Sequence, residues 1–183
     1  MALVYSSMLD LGSNIPDFKL FNALDGQIYS SSSLHDGKAS LVMLICNHCP
    51  YVIHYHEELK RLSKDYSTQI NMLAISSNDV ERYPQDGPEA MKELFELLNL
   101  DFPYLFDETQ EIAKTLKAEC TPEFYLYDGN NALVYRGRMD GSSPGKDIRI
   151  TGADLRAAID ALLYGNDISA EQHPSMGCSI KWF

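Results

Sequence analysis

The chain has 183 residues, a length that suggests one domain with short extensions and that allows a sizeable core to be buried. Hydrophobic residues make up 45% of it and charged residues 22%, which is ordinary for a soluble globular protein. The formal net charge is −11 and no run of lysines or arginines occurs, so nucleic acid and anionic membranes are poor partners.

The N-terminal segment does not look like a targeting signal. It reads MALVYSSMLDLGSNIPDF, without the basic start and continuous apolar stretch of a secretory signal peptide. No apolar run in the sequence approaches the length that spans a membrane. We therefore expect a cytoplasmic protein, in which a close pair of cysteines is more often catalytic or metal-binding than a structural disulfide.

The apolar patterning predicts strands and helices that alternate along the chain. The first half predicts a hairpin with strands at 18–21 and 27–29 around Asp25-Gly26, a buried strand at 40–45, a helix from Pro50 to Tyr66, and a strand at 70–76. The second half predicts a helix at 89–98, a strand at 104–106, a helix at 108–116, a hairpin with strands at 124–127 and 132–138, and a last helix at 153–163 with Thr151 as its N-cap.

This order of elements predicts an α/β fold. Strands that alternate with helices form a layered structure with crossover connections, and a closing hairpin has to pair antiparallel. We therefore expect a central mixed β-sheet flanked by helices, with an N-terminal β-hairpin. We interpret residues 1–183 as a single domain with a core of about 14–165. The C-terminal tail extension, residues 166–183, shows no periodicity.

The motif Cys46-Asn-His-Cys49-Pro50 lies where the buried strand ends and the next helix begins. Backbone N–H groups and the helix dipole stabilise an anion at a helix start, and cysteines spaced Cys-x-x-Cys there have lowered pKa values. We predict that Cys46, the more exposed of the two, is the nucleophile and that Cys49, in the first turn, resolves the mixed disulfide. His48 adds a donor and, when protonated, a positive charge; its alternative is an exposed loop imidazole.

A structural zinc site is the main alternative for this pair. Zinc needs four ligands, and its usual second half is another close pair of cysteines or histidines. The chain offers only the isolated Cys120 and Cys178. We therefore expect no bound metal and no cofactor.

A second motif surrounds Pro122, at the start of a predicted strand, where proline cannot be an ordinary ladder residue. Glu123 is a candidate general base, with an outward-facing strand glutamate as the alternative. Cys120 is either a small buried hydrophobe or an additional thiol near the site. Cys178 lies in a tail that either folds back to place Trp182 on the domain and deliver a further resolving thiol, or mediates a dimer.

Several motifs together resemble the thioredoxin-like redoxin superfamily, in its alkyl hydroperoxide reductase/thiol-specific antioxidant branch. They are PDF at 16–18 followed by Asp25-Gly26, CNHCPYV at 46–52, TPEF at 121–124 and VYRGR at 134–138, within a resemblance over about residues 14–165. The CNHCPYV string and the terminal PSMGCSIKW are similar to an uncharacterised subgroup of thioredoxin-family proteins. The resemblance implies a thioredoxin-like fold in which Pro122 is a cis-proline facing Cys46 and Cys49, and Thr121 offers backbone hydrogen bonds to substrate.

Two departures from the family bear on the chemistry. A peroxiredoxin carries threonine or serine three residues before its peroxidatic cysteine and a proline four residues further back, where this chain has Met43 and Ala39. The peroxide pocket therefore looks absent, and Arg138 is interpreted as a solvated hairpin arginine. Thioredoxin buries an acid in its central strand and carries tryptophan before the pair; the strand LVMLI at 41–45 offers neither.

Three functions follow. The first is a thiol-disulfide oxidoreductase that acts on a disulfide-containing protein or a small thiol substrate, draws electrons from a thioredoxin- or glutathione-type reductant, and is a monomer or homodimer. The alternative is an antioxidant thiol peroxidase, in which peroxide oxidises Cys46 to a sulfenic acid that condenses with Cys49. A less favoured third is a metal-binding or copper-delivery module with His173 as a distant ligand.

Overall fold

The computed structural model describes residues 3–183. Seven strands form the main sheet: β2 (Lys19–Asn22), β3 (Ile28–Ser30), β4 (Ser40–Leu44), β5 (Asn71–Ser76), β6 (Tyr104–Phe106), β8 (Glu123–Tyr127) and β9 (Leu133–Gly137). Their spatial order is β3-β2-β6-β5-β4-β8-β9. The helices are α1 (Pro50–His54), α2 (His56–Tyr66), α3 (Pro88–Leu98), α4 (Glu111–Thr115) and α5 (Ala153–Leu163).

The sheet is mixed, as the sequence predicted. β4 pairs parallel with β5, and β5 with β6, whereas β8 is antiparallel to both β4 and β9. β4 lies near the middle, with its residues buried on both faces: Leu41 and Met43 pack into one apolar cluster, and Val42 and Leu44 into the other. This two-sided burial explains why β4 reads as an unbroken apolar run.

Helices cover both faces of the sheet. α1, α2, α3 and α5 contribute Val52, Leu59, Phe95 and Ile159 to the cluster that contains the cysteine pair. α4 contributes Ile112 to the cluster on the other face. Across residues 3–183, no helix combines the length and the apolarity needed to cross a bilayer.

Two predicted helices differ from the observed ones. The helix predicted from Pro50 to Tyr66 is interrupted at Tyr55, whose hydroxyl donates to Asp140 Oδ1 at 3.1 Å and to the Ser142 carbonyl at 2.9 Å. The helix predicted from residue 108 begins only at Glu111, because Gln110 has φ 61° in the left-handed region. Both breaks depend on local backbone geometry that apolar periodicity does not reveal.

The predicted N-cap of α5 was wrong. Gly152, with φ 64°, directly precedes the helix, and Asp140 Oδ2 accepts hydrogen bonds from the backbone of Thr151 at 2.8 Å and of Gly152 at 2.7 Å. A Cβ at position 152 would lie 2.6 Å from Glu58 Oε1. Glycine is therefore the N-cap residue, and the buried carboxylate of Asp140 fixes the backbone that leads into the helix.

The chain termini form a second sheet that the sequence did not predict. β1 (Leu3–Tyr5), β10 (Met176–Ser179) and β7 (Cys120–Thr121) lie in the order β1-β10-β7, and both pairings are antiparallel. The tail thus folds back along the segment before Pro122, and Trp182 packs against the apolar cluster on the α4 face. This confirms the expectation that the tail returns to the domain.

Candidate functional site

The cysteine pair lies in the loop between β4 and α1. β4 ends at Leu44, and Cys49 is the N-cap residue of α1, whose first helical residue is Pro50. The carbonyl of Cys49 accepts hydrogen bonds from the backbone of Val52 at 2.9 Å and of Ile53 at 3.0 Å. Cys49 therefore stands at the boundary of the helix, one residue earlier than predicted, and Cys46 lies in the loop before it.

Both cysteines are buried, and both are free thiols. Cys46 is 2% exposed and Cys49 0%, so Cys46 is the more exposed of the two by a small margin and both sulfurs are nearly closed to solvent. Thr121 lies against both sulfurs: its Oγ1 is 3.3 Å from Cys46 Sγ, and its carbonyl accepts from Cys49 Sγ at 3.2 Å. The Thr121–Pro122 peptide bond is cis, as the resemblance implied.

Hydrogen bonding shifts the pKa values of the two thiols in opposite directions. A hydrogen bond from the Cys46 thiol, assisted by the Cys178 thiol and the Thr121 hydroxyl, lowers the pKa of Cys49 against the opposing effect of burial. The pKa of Cys46 is raised by the proton it shares with Cys49, by burial, and by the nearby carboxylate of Asp86. These directions favour the thiolate on Cys49, whereas the sequence analysis predicted Cys46 as the nucleophile.

His48 is held by a buried carboxylate that the sequence analysis missed. His48 Nδ1 and Asp86 Oδ2 are 2.6 Å apart, and the His48 ring stacks on Tyr83 with centroids 5.4 Å apart and planes 4° apart. His48 is thus neither a free loop imidazole nor randomly oriented. Asp86 stands in a proline-rich loop some forty residues after the pair, and nothing in its local sequence distinguished it from a surface acid.

Asp86 organises the loop of the cysteine pair. It is 0% exposed, and its Oδ1 accepts from the backbone of Asn47 at 2.8 Å and of His48 at 3.3 Å, while Oδ2 also accepts from Asn78 Nδ2 at 2.8 Å. A buried carboxylate with this many donors is well satisfied. Its function in the structure is to fix the backbone between Cys46 and Cys49.

A metal-binding arrangement is the remaining chemistry to examine here. Ligand atoms of Cys46, His48 and Asp86 lie within 4.8 Å of one another. However, four hydrogen bonds already occupy the Asp86 oxygens, so a metal ion would have to displace donors that hold the loop. His173 is not part of this group; its carbonyl accepts from the backbone of Arg138 at 3.1 Å. The ligand set of a copper-delivery module is therefore not assembled.

The structure brings Glu123 to Cys120 rather than to the redox pair. Side chains alternate along β8, so Phe124 packs with the cysteine pair while Glu123 points to the other face. Its Oε2 accepts from the backbone of Glu119 at 3.2 Å. Burial, and then the charge of Glu123, raise the pKa of Cys120, which is 0% exposed. This geometry favours the interpretation of Cys120 as a small buried hydrophobe and gives no support to Glu123 as a general base.

Arg138 lies apart from the pair as well. Its Nε donates to Asp154 Oδ2 at 2.5 Å, and about a third of each side chain is exposed. This agrees with the interpretation of Arg138 as a hairpin arginine at the end of β9.

Glu123 gives the fold a specific pH dependence. Burial raises its pKa from 4.5 to about 7. Because the folded-state pKa is above the unfolded one, the stabilising contribution is complete below the unfolded pKa and is lost as pH rises through the folded pKa. At about 1.4 kcal/mol per pKa unit, the loss amounts to up to about 3 kcal/mol.

We therefore expect Glu123→Gln to become more stable relative to the wild type as pH rises from about 5 to about 8. Urea unfolding of both proteins at the two pH values measures this difference in the free energy of unfolding. A difference that stays constant between them would contradict the buried, protonated state of Glu123. The exposed Glu108→Gln serves as a control, for which no such trend is expected.

Comparisons with known proteins agree with this architecture. The Redoxin family profile matches residues 10–155. The thiol:disulfide interchange protein DsbE of Escherichia coli (strain K12) is 30% identical over 132 residues, which are 71% of this chain and 66% of DsbE. The match thus leaves about a third of the length of that relative unaligned.

Solved structures show the same fold. An uncharacterised conserved protein from Geobacillus kaustophilus is 48% identical with a TM-score of 0.97, and the match covers 100% of this chain and 97% of that one. A hypothetical protein from Sinorhizobium meliloti 1021 is 40% identical with a TM-score of 0.94 and 98% coverage of both chains. A secreted disulfide oxidoreductase of Mycobacterium tuberculosis, 17% identical with a TM-score of 0.61 over 79% of this chain and 96% of that one, shares the fold.

These matches confirm the thioredoxin-like α/β fold with its central mixed sheet. The family profile covers most of the chain and includes both cysteines of the motif and Pro122. The chain belongs to the Redoxin family.

Proposed function

We propose that the protein is a thiol-disulfide oxidoreductase in which Cys49 is the attacking thiolate and Cys46 completes the disulfide. The observation that carries this proposal is the environment of the Cys49 sulfur, which lies at a helix N-cap with the thiols of Cys46 and Cys178 and the hydroxyl of Thr121 around it. A thiolate is the nucleophile in disulfide exchange. The relatives named as thiol:disulfide interchange proteins support the same chemistry.

The reaction runs in two exchange steps. The Cys49 thiolate attacks one sulfur of the substrate disulfide; the new S–S bond forms as the substrate bond breaks, and the leaving thiolate takes up a proton. Cys46 then gives up its proton and attacks Cys49 Sγ, which releases the second substrate thiol and its electron pair. The substrate gains two electrons and the pair loses two. A thioredoxin-type reductant returns them.

The burial of both sulfurs restricts the class of substrate that can reach them. Both sulfurs are buried, and the backbone of Thr121, which an extended protein substrate would use for pairing, is already paired with β10. A small disulfide of the glutathione class needs a smaller opening than a protein substrate, which would have to displace β10. We therefore propose a small thiol disulfide as the substrate.

A thiol peroxidase is the alternative function. Met43 stands three residues before Cys46, so it counts against a peroxide pocket only when Cys46 is the attacking residue. With Cys49 as the attacking residue, the position three residues before it is Cys46, which supplies a thiol rather than a hydroxyl. Thr121 Oγ1 supplies a hydroxyl beside the pair, 3.3 Å from Cys46 Sγ. In this case peroxide oxidises Cys49 to a sulfenic acid, and Cys46 condenses with it and releases water.

One experiment separates the two functions. Fully reduced protein is mixed with glutathione disulfide or with hydrogen peroxide at equal concentrations, quenched with acid over time, and its disulfides are mapped by mass spectrometry. We expect the Cys46–Cys49 disulfide to form faster with glutathione disulfide than with peroxide. Faster oxidation by peroxide, with a sulfenic acid trapped on Cys49 by dimedone, would make the protein a peroxidase. The same two reactions are run on Cys120→Ala as a control, which should show that the buried Cys120 thiol does not contribute to the oxidation.

A further inference from the structure

β10 brings a third sulfur to the redox pair. Cys178 stands opposite Thr121 in the antiparallel register, and the carbonyl of that threonine accepts from Cys49 Sγ at 3.2 Å. The thiol and the backbone N–H of Cys178 both contribute to the lowered pKa of the Cys49 thiol. Cys178 is 5% exposed and belongs to the same buried cluster as the pair. Three thiols therefore share one buried site around Cys49.

The position of Cys178 is built into the fold. β10 is the central strand of the three-stranded sheet, paired with β1 on one side and β7 on the other. Its close approach requires glycine next to Cys178, because a Cβ at Gly177 would overlap the carbonyl oxygen of Thr121. Cys178 therefore does not hang on a loose tail; the strand holds its sulfur against the site.

We propose that Cys178 is a third redox residue that forms a disulfide with Cys49, and this proposal rests on the attack by Cys49 described above. Cys178 gives up its proton and attacks Cys49 Sγ, in a disulfide with either Cys46 or a small thiol. The Cys49–Cys178 bond forms, the earlier bond breaks, and the departing sulfur leaves with the electron pair and takes up the proton. The exchange with Cys46 changes no oxidation state: one disulfide replaces another.

The consequence is a second route for releasing a bound thiol. Cys46 resolves the mixed disulfide from the loop side, and Cys178 resolves it from β10. When Cys178 is the partner, the tail becomes covalently bound to the start of α1, and Cys46 is free as a thiol. The oxidised site then stays buried, because the disulfide attaches β10 to it.

Cys120 is the natural control for this proposal. It pairs with Ser179, one position along from Cys178, but neighbouring residues of β7 point to opposite sides of the strand. Thr121 faces the pair, and Cys120 lies beside Glu123. Cys120 and Cys178 are both buried cysteines. Cys178 lies on the side of the sheet that faces Cys49, and Cys120 lies on the opposite side.

The experiment removes the usual partner of Cys49. Reduced Cys46→Ser is treated with glutathione disulfide, quenched with acid, blocked with N-ethylmaleimide and mapped by mass spectrometry, after circular dichroism has shown that it is folded. We expect the Cys49–Cys178 disulfide as the main product, with glutathione released. Cys46→Ser/Cys178→Ser should instead retain glutathione on Cys49, and Cys46→Ser/Cys120→Ala should behave like Cys46→Ser.

Equal retention of glutathione on Cys49 in Cys46→Ser and in the double variant lacking Cys178 would overturn the proposal. A second measurement does not depend on any variant: wild-type protein equilibrated across glutathione redox buffers should show the Cys49–Cys178 peptide beside the Cys46–Cys49 peptide. If only the Cys46–Cys49 disulfide forms, the redox role proposed for Cys178 is refuted and the proposed function stands. If wild-type protein forms no Cys46–Cys49 disulfide but Cys46→Ser links Cys49 to Cys178, the proposed pair fails and this inference stands.

Discussion

Replacing Cys49 by alanine is expected to slow the release of glutathione from glutathione disulfide by at least about 10³-fold in a single turnover of the reduced protein. Cys49 carries the stabilised thiolate, and no other thiol of the site has the same set of hydrogen bonds from Cys46, Cys178 and Thr121. In the variant, burial and the nearby carboxylate of Asp86 still raise the pKa of Cys46, and burial raises the pKa values of Cys120 and Cys178. The loss is therefore chemical and not a consequence of lost packing.

The matched control for this variant is Cys120→Ala. Both cysteines are 0% exposed and both changes remove one sulfur from the interior, so their costs in packing are comparable. Cys120→Ala should keep the wild-type rate of glutathione release. A Cys49→Ala protein that still captures glutathione, on Cys46, would restore the assignment that the sequence had favoured, with Cys46 as the attacking residue.

Replacing Gly177 by alanine is expected to open the site. The added Cβ would overlap the carbonyl oxygen of Thr121, and this is backbone that cannot rotate away, so β10 has to move from β7. Overpacking of this kind costs about 1–3 kcal/mol, which corresponds to about a 5- to 150-fold increase in the population with β10 displaced. Alkylation of Cys49 by iodoacetamide proceeds through that open state and should accelerate by the same factor.

Gly141→Ala tests whether the effect is specific to the tail. A Cβ at Gly141 would meet only the end of the Arg138 side chain, at 3.7 Å or more, which is ordinary contact. Its alkylation rate should match that of the wild type. Equal rates in the Gly177 and Gly141 variants, with circular dichroism showing both folded, would mean that β10 does not limit access to the pair.

The local features of this protein were visible in the sequence. The apolar run at 40–45 predicted β4 because both of its faces are buried, and Asp25-Gly26 marked the β2–β3 hairpin. The pair at 46 and 49 was found because its cysteines are close in sequence and lie between a strand and a helix. Features that depend on a few neighbouring residues leave a pattern in the sequence.

Features that join distant parts of the chain left no such pattern. Asp86 reaches the loop of the pair across 38 residues, and Cys178 meets Thr121 through strands of four and two residues. Strands this short show no alternation to detect. The choice of nucleophile was a different case, because the sequence did contain a relevant signal. Pro50 indicated the first helical position, which makes Cys49 the N-cap. The sequence analysis nevertheless favoured Cys46, because it expected Cys46 to be the more exposed.

The measurement that tests the central claim most directly is the identity of the first covalent adduct. Reduced wild-type protein is mixed with glutathione disulfide, quenched with acid at the earliest times, and mapped for glutathione on each cysteine. We expect glutathione on Cys49 first, followed by its loss as the Cys46–Cys49 disulfide appears. Glutathione that appears first on Cys46, or on neither cysteine of the motif, would contradict attack by Cys49.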